Sequence, residues 1–142
     1  MSVFVDSWGW LGLFDETDSD HEPAFGAISK AIRERTELIT TDYVLCETIT
    51  LICRRLKGVA AIRTLHRMLD VQRDVSVQIE HIYLTRFSKA LDLRFVYGDK
   101  LRISFTDLTT MVVMEELGIS DIITRDSDFL SVNRGLRLLP EI

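Results

Sequence analysis

Apolar positions recur along this chain in two rhythms, short unbroken runs and longer stripes at helical spacing. Residues 3–5 (Val-Phe-Val) form an unbroken run that ends on Asp6. A segment apolar at every position suits a strand covered on both faces, as in a parallel sheet. Residues 38–40, 122–124 and 136–139 read as further short strands, and 75–79 (Val-Ser-Val-Gln-Ile) alternates as a half-buried strand does. Residues 7–12 read as a turn leading away from the first strand. Pro23 suits the first turn of a helix running to about residue 35, with Phe25, Ile28 and Ile32 on one face. Thr41 or Asp42 stands where a helix cap is needed. The helix that follows carries a stripe of Leu45, Ile49, Ile52, Cys53 and Leu56, with Lys57-Gly58 as its stop. Helices are expected over 59–69 and 80–95, the second aligning Leu84, Phe87 and Leu91, then a loop at 97–100. A further helix starts near Asp107, and Gly118 caps its end. This alternation predicts a three-layer α/β/α fold, a mostly parallel central sheet with helices on both faces. A chain of 142 residues suffices for one domain with its own core, so 1–142 reads as a single domain.

Composition narrows the partners. A net charge of −5 removes any global basic field, so a nucleic-acid partner requires a local patch or bound metal ions. The run 15–22 (DETDSDHE) reads as a solvated acidic loop. The basic residues between Arg54 and Arg73 read as a solvated face, while Lys100, Arg102 and Arg125 stand closer to the acidic segments and are the better candidates for phosphate contact. Cys46 and Cys53 lie seven residues apart on one helix, about 10 Å along its axis and beyond disulfide reach, and are expected as buried thiols in a reducing compartment. There is neither a secretion signal nor a run long enough to span a bilayer, so a cytoplasmic protein is expected. His21, His66 and His81 are scattered and show no zinc-ligand spacing.

The chemistry-bearing stretch is 105–129, FTDLTTMVVMEELGISDIITRDSDF, with a carboxylate at each end of a helix–strand unit. Asp107 falls at the helix start and Asp126 just past the strand. In an open parallel sheet both Asp6 and Asp126 reach the edge formed by the carboxyl ends of the strands, where ligand sites collect. Taken singly, Asp107 is explained by the helix dipole, worth roughly 0.3–1 kcal/mol. Asp126 and Asp128 are equally explained as turn residues. Asp6, at the end of a fully apolar strand, needs a partner or a metal. Clustered carboxylates repel one another, and hard divalent cations such as Mg²⁺ or Mn²⁺ supply the compensation. Glu47 falls opposite the Leu45–Leu56 stripe on a helical wheel, but Val44 and Leu51 flank it. That helix is therefore apolar on two faces, and the pattern leaves open which face meets the sheet.

In order and context these acids resemble the PIN-domain family of metal-dependent ribonucleases, and most closely the VapC-type toxins of toxin–antitoxin systems. V-F-V-D-S supplies Asp6, V-L-C-E-T supplies Glu47, S-F-T-D-L…E-E-L-G-I supplies Asp107, and T-R-D-S-D-F supplies Asp126 with Asp128 as an accessory acid. The resemblance covers essentially the whole chain. It implies a PIN-like fold and endoribonuclease activity, with Mg²⁺ or Mn²⁺ held by Asp6, Glu47, Asp107 and Asp126 and with metal-activated water attacking the phosphodiester. It also implies an RNA substrate, a small antitoxin partner and a homodimer. The second apolar face of the helix bearing Glu47 is a candidate surface for either protein partner. Two rival readings are a PIN nuclease of RNA processing without an antitoxin, and a catalytically silent binding or scaffold module whose acids are structural.

Overall fold

The computed structural model describes residues 1–132 and 134–141. Its elements are β1 (Ser2–Val5), α1 (Ser7–Phe14), α2 (His21–Arg33), β2 (Glu37–Thr41), α3 (Asp42–Arg55), α4 (Val59–Val75), β3 (Gln78–Glu80), α5 (Leu84–Val96), α6 (Phe105–Leu117), β4 (Asp121–Ile123), α7 (Asp128–Ser131) and β5 (Arg137–Leu139). All strand pairs are parallel, in the order β3-β2-β1-β4-β5. β1 pairs with β2 on one side and β4 on the other, in register Phe4 with Ile39 and with Ile122. The chain moves from β1 outward to β3, then crosses back to β4 and on to β5. Right-handed crossovers put helices on opposite faces for those two directions, giving the three-layer α/β/α fold. The reversal falls between β1 and β4, and a parallel sheet opens its ligand crevice there. The core follows from the runs: Val3, Phe4, Val5, Leu38, Ile39, Ile122 and Ile123 are all buried.

Several elements differ from the pattern reading. Residues 7–12 do not turn away; they form α1, despite two glycines that each cost about 1 kcal/mol of helix propensity. Close approach is the reason. A Cβ on Gly9 would stand 2.9 Å from Val5 Cγ1, and one on Gly12 would stand 2.7 Å from Ala24 Cβ. In α2 the buried residues are Ala24, Ile28 and Ala31, so small side chains form the seam while Phe25 and Ile32 are exposed. Gly58 does not stop α3; it precedes α4 with φ +59°, a left-handed value that glycine takes without strain. α4 runs on to Val75, so the alternation at 75–79 spans a helix end and a three-residue strand.

The largest change concerns α3. Its buried residues are Val44, Thr48 and Ile52, while Ile49 is exposed and so are both cysteines. Cys46 and Cys53 are therefore not buried thiols. Thr48, a polar residue by any count, can face the core because its hydroxyl donates to the Val44 carbonyl at 2.8 Å. The apolar stripe is divided: Ile52 is buried and Leu45 and Leu56 pack against the core, whereas Ile49 and Cys53 are exposed. No helix among the described residues is long and apolar enough to cross a membrane.

The Gly12 contact yields a prediction. In Gly12→Ala the gain in helix propensity, about 1 kcal/mol, opposes an overpacking cost of about 1–3 kcal/mol. The atoms in the way are Ala24 Cβ, which has no rotamer to change, and the Asp20 carbonyl at 3.2 Å. Overpacking should win, lowering the urea midpoint by the equivalent of up to about 2 kcal/mol; a raised midpoint would show that the seam can open.

Candidate metal centre

Asp6 sits where β1 ends, and its backbone N–H extends the sheet ladder by donating to the Ile123 carbonyl at 3.2 Å. Its carboxylate is 4% exposed. Oδ2 accepts from the Thr124 hydroxyl at 2.9 Å, whereas Oδ1 is buried with no partner. That same Thr124 hydroxyl oxygen accepts from the Asp126 N–H at 3.1 Å. One threonine, itself buried, therefore ties the acid after β1 to the acid after β4. Asp126 Oδ1 accepts from the Asp128 N–H at 2.9 Å, an Asx turn that holds the Asp126 side chain and starts α7. Asp128 thus supports the site through its backbone.

Asp107 occupies the third position of α6 in a capping box. Its N–H donates to Ser104 Oγ at 3.1 Å, and its Oδ2 accepts from the Ser104 N–H at 3.3 Å. The S-x-x-D signature of this cap, Ser104 to Asp107, stands in the sequence. Glu47, in the second turn of α3, is half-buried. It falls beside Leu51, next to the Val44–Thr48–Ile52 face that meets the core, which decides the orientation that the helical wheel left open.

The electrostatics show how close these groups stand. Burial pushes the Asp6 carboxyl up to about 6, with Glu47 and Asp126 adding to the rise against the hydrogen bonds from Thr124 and Ser7. Burial also pushes Asp107 up to about 7, with Asp6 and Asp126 adding to it against the bonds from Ser104. Each of the four acids therefore acts on, or is acted on by, another of the set. The fit to a hard divalent cation rests on this donor set, all oxygen and all anionic, and on the orphaned Oδ1 of Asp6. Among the described residues no three His, Cys, Asp or Glu side chains converge tightly enough to ligate one ion between them. Asp6 and Asp126 line an open cleft, which suits an ion that keeps several of its own waters.

Of the basic candidates, Arg125 lines this cleft beside Asp6 and Asp126, with its Cζ 5.7 Å from the centroid of the Trp8 ring. Lys100 leans toward Asp99 at 3.9 Å and Arg102 is exposed; neither lines the cleft. The acidic run 15–22 is not simply a solvated loop. Asp15 is buried and caps its own turn through Thr17, at 3.1 Å from the N–H and 2.6 Å from the hydroxyl. Asp18 pairs with Arg55 at 2.7 Å and Glu16 with Arg67 at 3.1 Å. Part of the basic cluster between Arg54 and Arg73 is thus spent neutralising this loop. Thr124, Ser104 and Trp8 escaped the sequence reading because none carries a charge.

The raised carboxyls carry a pH dependence. Both groups have an ordinary value of 3.8 and hold their protons to higher pH in the fold. Their contribution to stability is therefore fully present below about pH 4 and lost as pH rises toward about 7. In chelator-treated protein, Asp6→Asn should be more stable than wild type at pH 8 by about 3 kcal/mol, with the gap closing toward pH 4. Thermal midpoints across that range test this, and a gap that widened toward acid would overturn the assignment.

Comparison with known proteins agrees with this architecture. A family model of the PIN domain matches residues 3–135. The crystal structure of Mycobacterium tuberculosis VapC20, described as a sarcin-ricin loop cleaving toxin, superposes with a TM-score of 0.74 at 28% sequence identity, over 92% of this chain and 95% of that one. PAE2754 from Pyrobaculum aerophilum superposes with a TM-score of 0.65 at 18% identity, over 98% of this chain and 90% of that one, a likeness of fold alone. No curated protein matches the chain in sequence. With a family model spanning nearly its whole length and a parallel five-stranded sheet in the order 3-2-1-4-5 behind it, the chain belongs to the PIN-domain family.

Proposed function

We propose that the protein is a metal-dependent endoribonuclease of one domain, 1–142, using Mg²⁺ or Mn²⁺, and the toxin of a toxin–antitoxin pair. The observation that carries this reading is the buried, unpartnered Oδ1 of Asp6, set among three further carboxylates at the switch point of the sheet. Such a group is costly unless a cation meets it. Family membership supports the nuclease chemistry, and the likeness to VapC20 supports the toxin role.

In this reading Asp6, Glu47, Asp107 and Asp126 would hold the ion, in part through its own waters, with Asp128 as accessory. A bound divalent ion supplies a Lewis acid and a water of lowered pKa. The chain's own residues do the positioning. Thr124 fixes Asp6 and Asp126 relative to each other, and Ser104 fixes Asp107 at the head of α6. Burial and neighbouring carboxylates hold Asp6 and Asp107 above the usual carboxyl range, and a cation beside them would lower both. Arg125 contacts the scissile strand's phosphates; Lys100 and Arg102, outside the cleft, serve at most the flanking strand.

A small antitoxin and a second copy of the chain are the protein partners in this proposal, and the cytoplasm its compartment. Apolar surface suited to such partners stands on α4 (Val59, Ile62 and Leu69) and α5 (Leu84, Phe95 and Val96), all exposed, as well as on the outer face of α3. An adjacent small antitoxin gene would separate this role from RNA processing.

Purified protein with Mn²⁺ or Mg²⁺ should cleave RNA, and chelation should stop it. Asp6→Asn should cut the rate by more than the roughly 10- to 100-fold that loss of an outer-shell partner costs at a metal site, with an unchanged circular dichroism spectrum. A wild type that binds no Mn²⁺ and cleaves nothing would favour the silent scaffold.

A further inference from the structure

The two tryptophans of this chain, two residues apart on α1, have opposite situations. Trp10 is 2% exposed and its indole N–H donates to the Thr40 hydroxyl at 3.1 Å, a satisfied core residue. Trp8 is half-buried and lines the cleft with Asp6, Ser7, Arg125 and Asp126. Its indole N–H donates to Asp20 Oδ2 at 3.0 Å, which fixes the ring from the acidic loop. The Arg125 guanidinium lies over the ring but 5.7 Å from its centroid. That distance is within cation–π range, so this ring face opens fully once the arginine moves away. The cleft is open and holds roughly 540 Å³, within the range of pockets that take ligands of nucleotide size.

We propose that Trp8 is the stacking platform for one unpaired base of the substrate strand, adjacent to the scissile phosphate, with Arg125 turning from the ring to that phosphate. The inference rests on the nuclease reading and adds a base-contacting residue to it. A large aromatic side chain held at a fixed angle beside a polar site is what unstacked bases are recognised by. A duplex has no free base face to offer. The carboxylates on this side, Asp18 and Asp20, suit a base edge with its amino donors better than a phosphate. Both are already engaged, by Arg55 at 2.7 Å and by the Trp8 indole, so their repulsion of the strand is reduced. The acidic loop, out of place in a site that meets RNA, thereby has a use: it holds the platform.

The test uses the cleavage-deficient Asp6→Asn protein in Mg²⁺, titrated with a short single-stranded oligoribonucleotide. Tryptophan fluorescence should be quenched, with Trp8 as the reporter because Trp10 is buried, and a blunt RNA duplex should quench little. Removing the platform with Trp8→Ala in that background should weaken binding of a labelled strand by roughly 5- to 150-fold, the measured range for loss of one stacked base. Trp8→Phe, which keeps a ring, should restore most of it and controls for a disturbed fold. In otherwise wild-type protein, Trp8→Ala should raise KM for single-stranded RNA more than it lowers kcat. Equal quenching by duplex, or a Trp8→Ala protein that binds and cleaves like wild type, overturns the platform while leaving the nuclease standing. A wild type that cleaves no RNA with either metal overturns both.

Discussion

Everything at the functional edge depends on the crowding of negative charge where β1 and β4 end side by side. Two parallel strands that are neighbours in space deliver Asp6 and Asp126 to one place, and the heads of α3 and α6 bring Glu47 and Asp107 toward it. Folding holds these carboxylates together although they repel. It does so because the cost, about 1.4 kcal/mol for each unit by which a carboxyl is raised, is small beside the burial of the apolar strands that carry them. The same crowding that weakens the fold is what a cation would relieve at the proposed site. Stability and chemistry are thus set against each other at a single position, and the hydroxyl of Thr124 moderates the conflict by bonding to one acid and receiving the backbone of the other.

The second constraint is close packing of helices against this edge. α1 starts directly after Asp6, so it must lie tight on the strand it leaves. Gly9 and Gly12 permit that against Val5 and Ala24. The tightness brings Trp8 to the rim of the cleft and Trp10 into the core from one short helix, and the Asp15–Asp20 loop then folds back to bond the indole of the first. A segment rich in turn formers and acids is in this way built into the wall of the site.

What could be read from residues alone follows a physical divide. The strands were legible because a fully apolar run has few other uses, and their parallel order followed from alternation with helices. The acids were legible as ends of elements, and Glu47 only through resemblance. α1 was hidden because its glycines speak for a turn locally and for contact globally, and only the neighbour across the gap decides. The inner face of α3 was hidden because Thr48 counts as polar until its hydroxyl is seen to bond within its own helix. Phe25 and Ile32 were aligned with Ile28 on one apolar face and stand outside, as does Ile49 of the α3 stripe, since alanine or threonine fits the narrower seams. Sequence pattern reports what a residue is, while packing also depends on how much room the partner leaves.

The bond between Thr124 and Asp6 spans 118 residues of the chain. β1, at the centre of the sheet, is made before β4, the strand that completes its acidic edge. Long-range parallel pairing of this kind is slow to form, and domains fold as units as the chain emerges. Until β4 arrives, Asp6 is an isolated carboxylate at the end of a strand with one neighbour. The site therefore has a built-in order of events: Asp6 exists early but meets Asp126 only once β4 is in place, so a chain that stops before β4 lacks the paired acids.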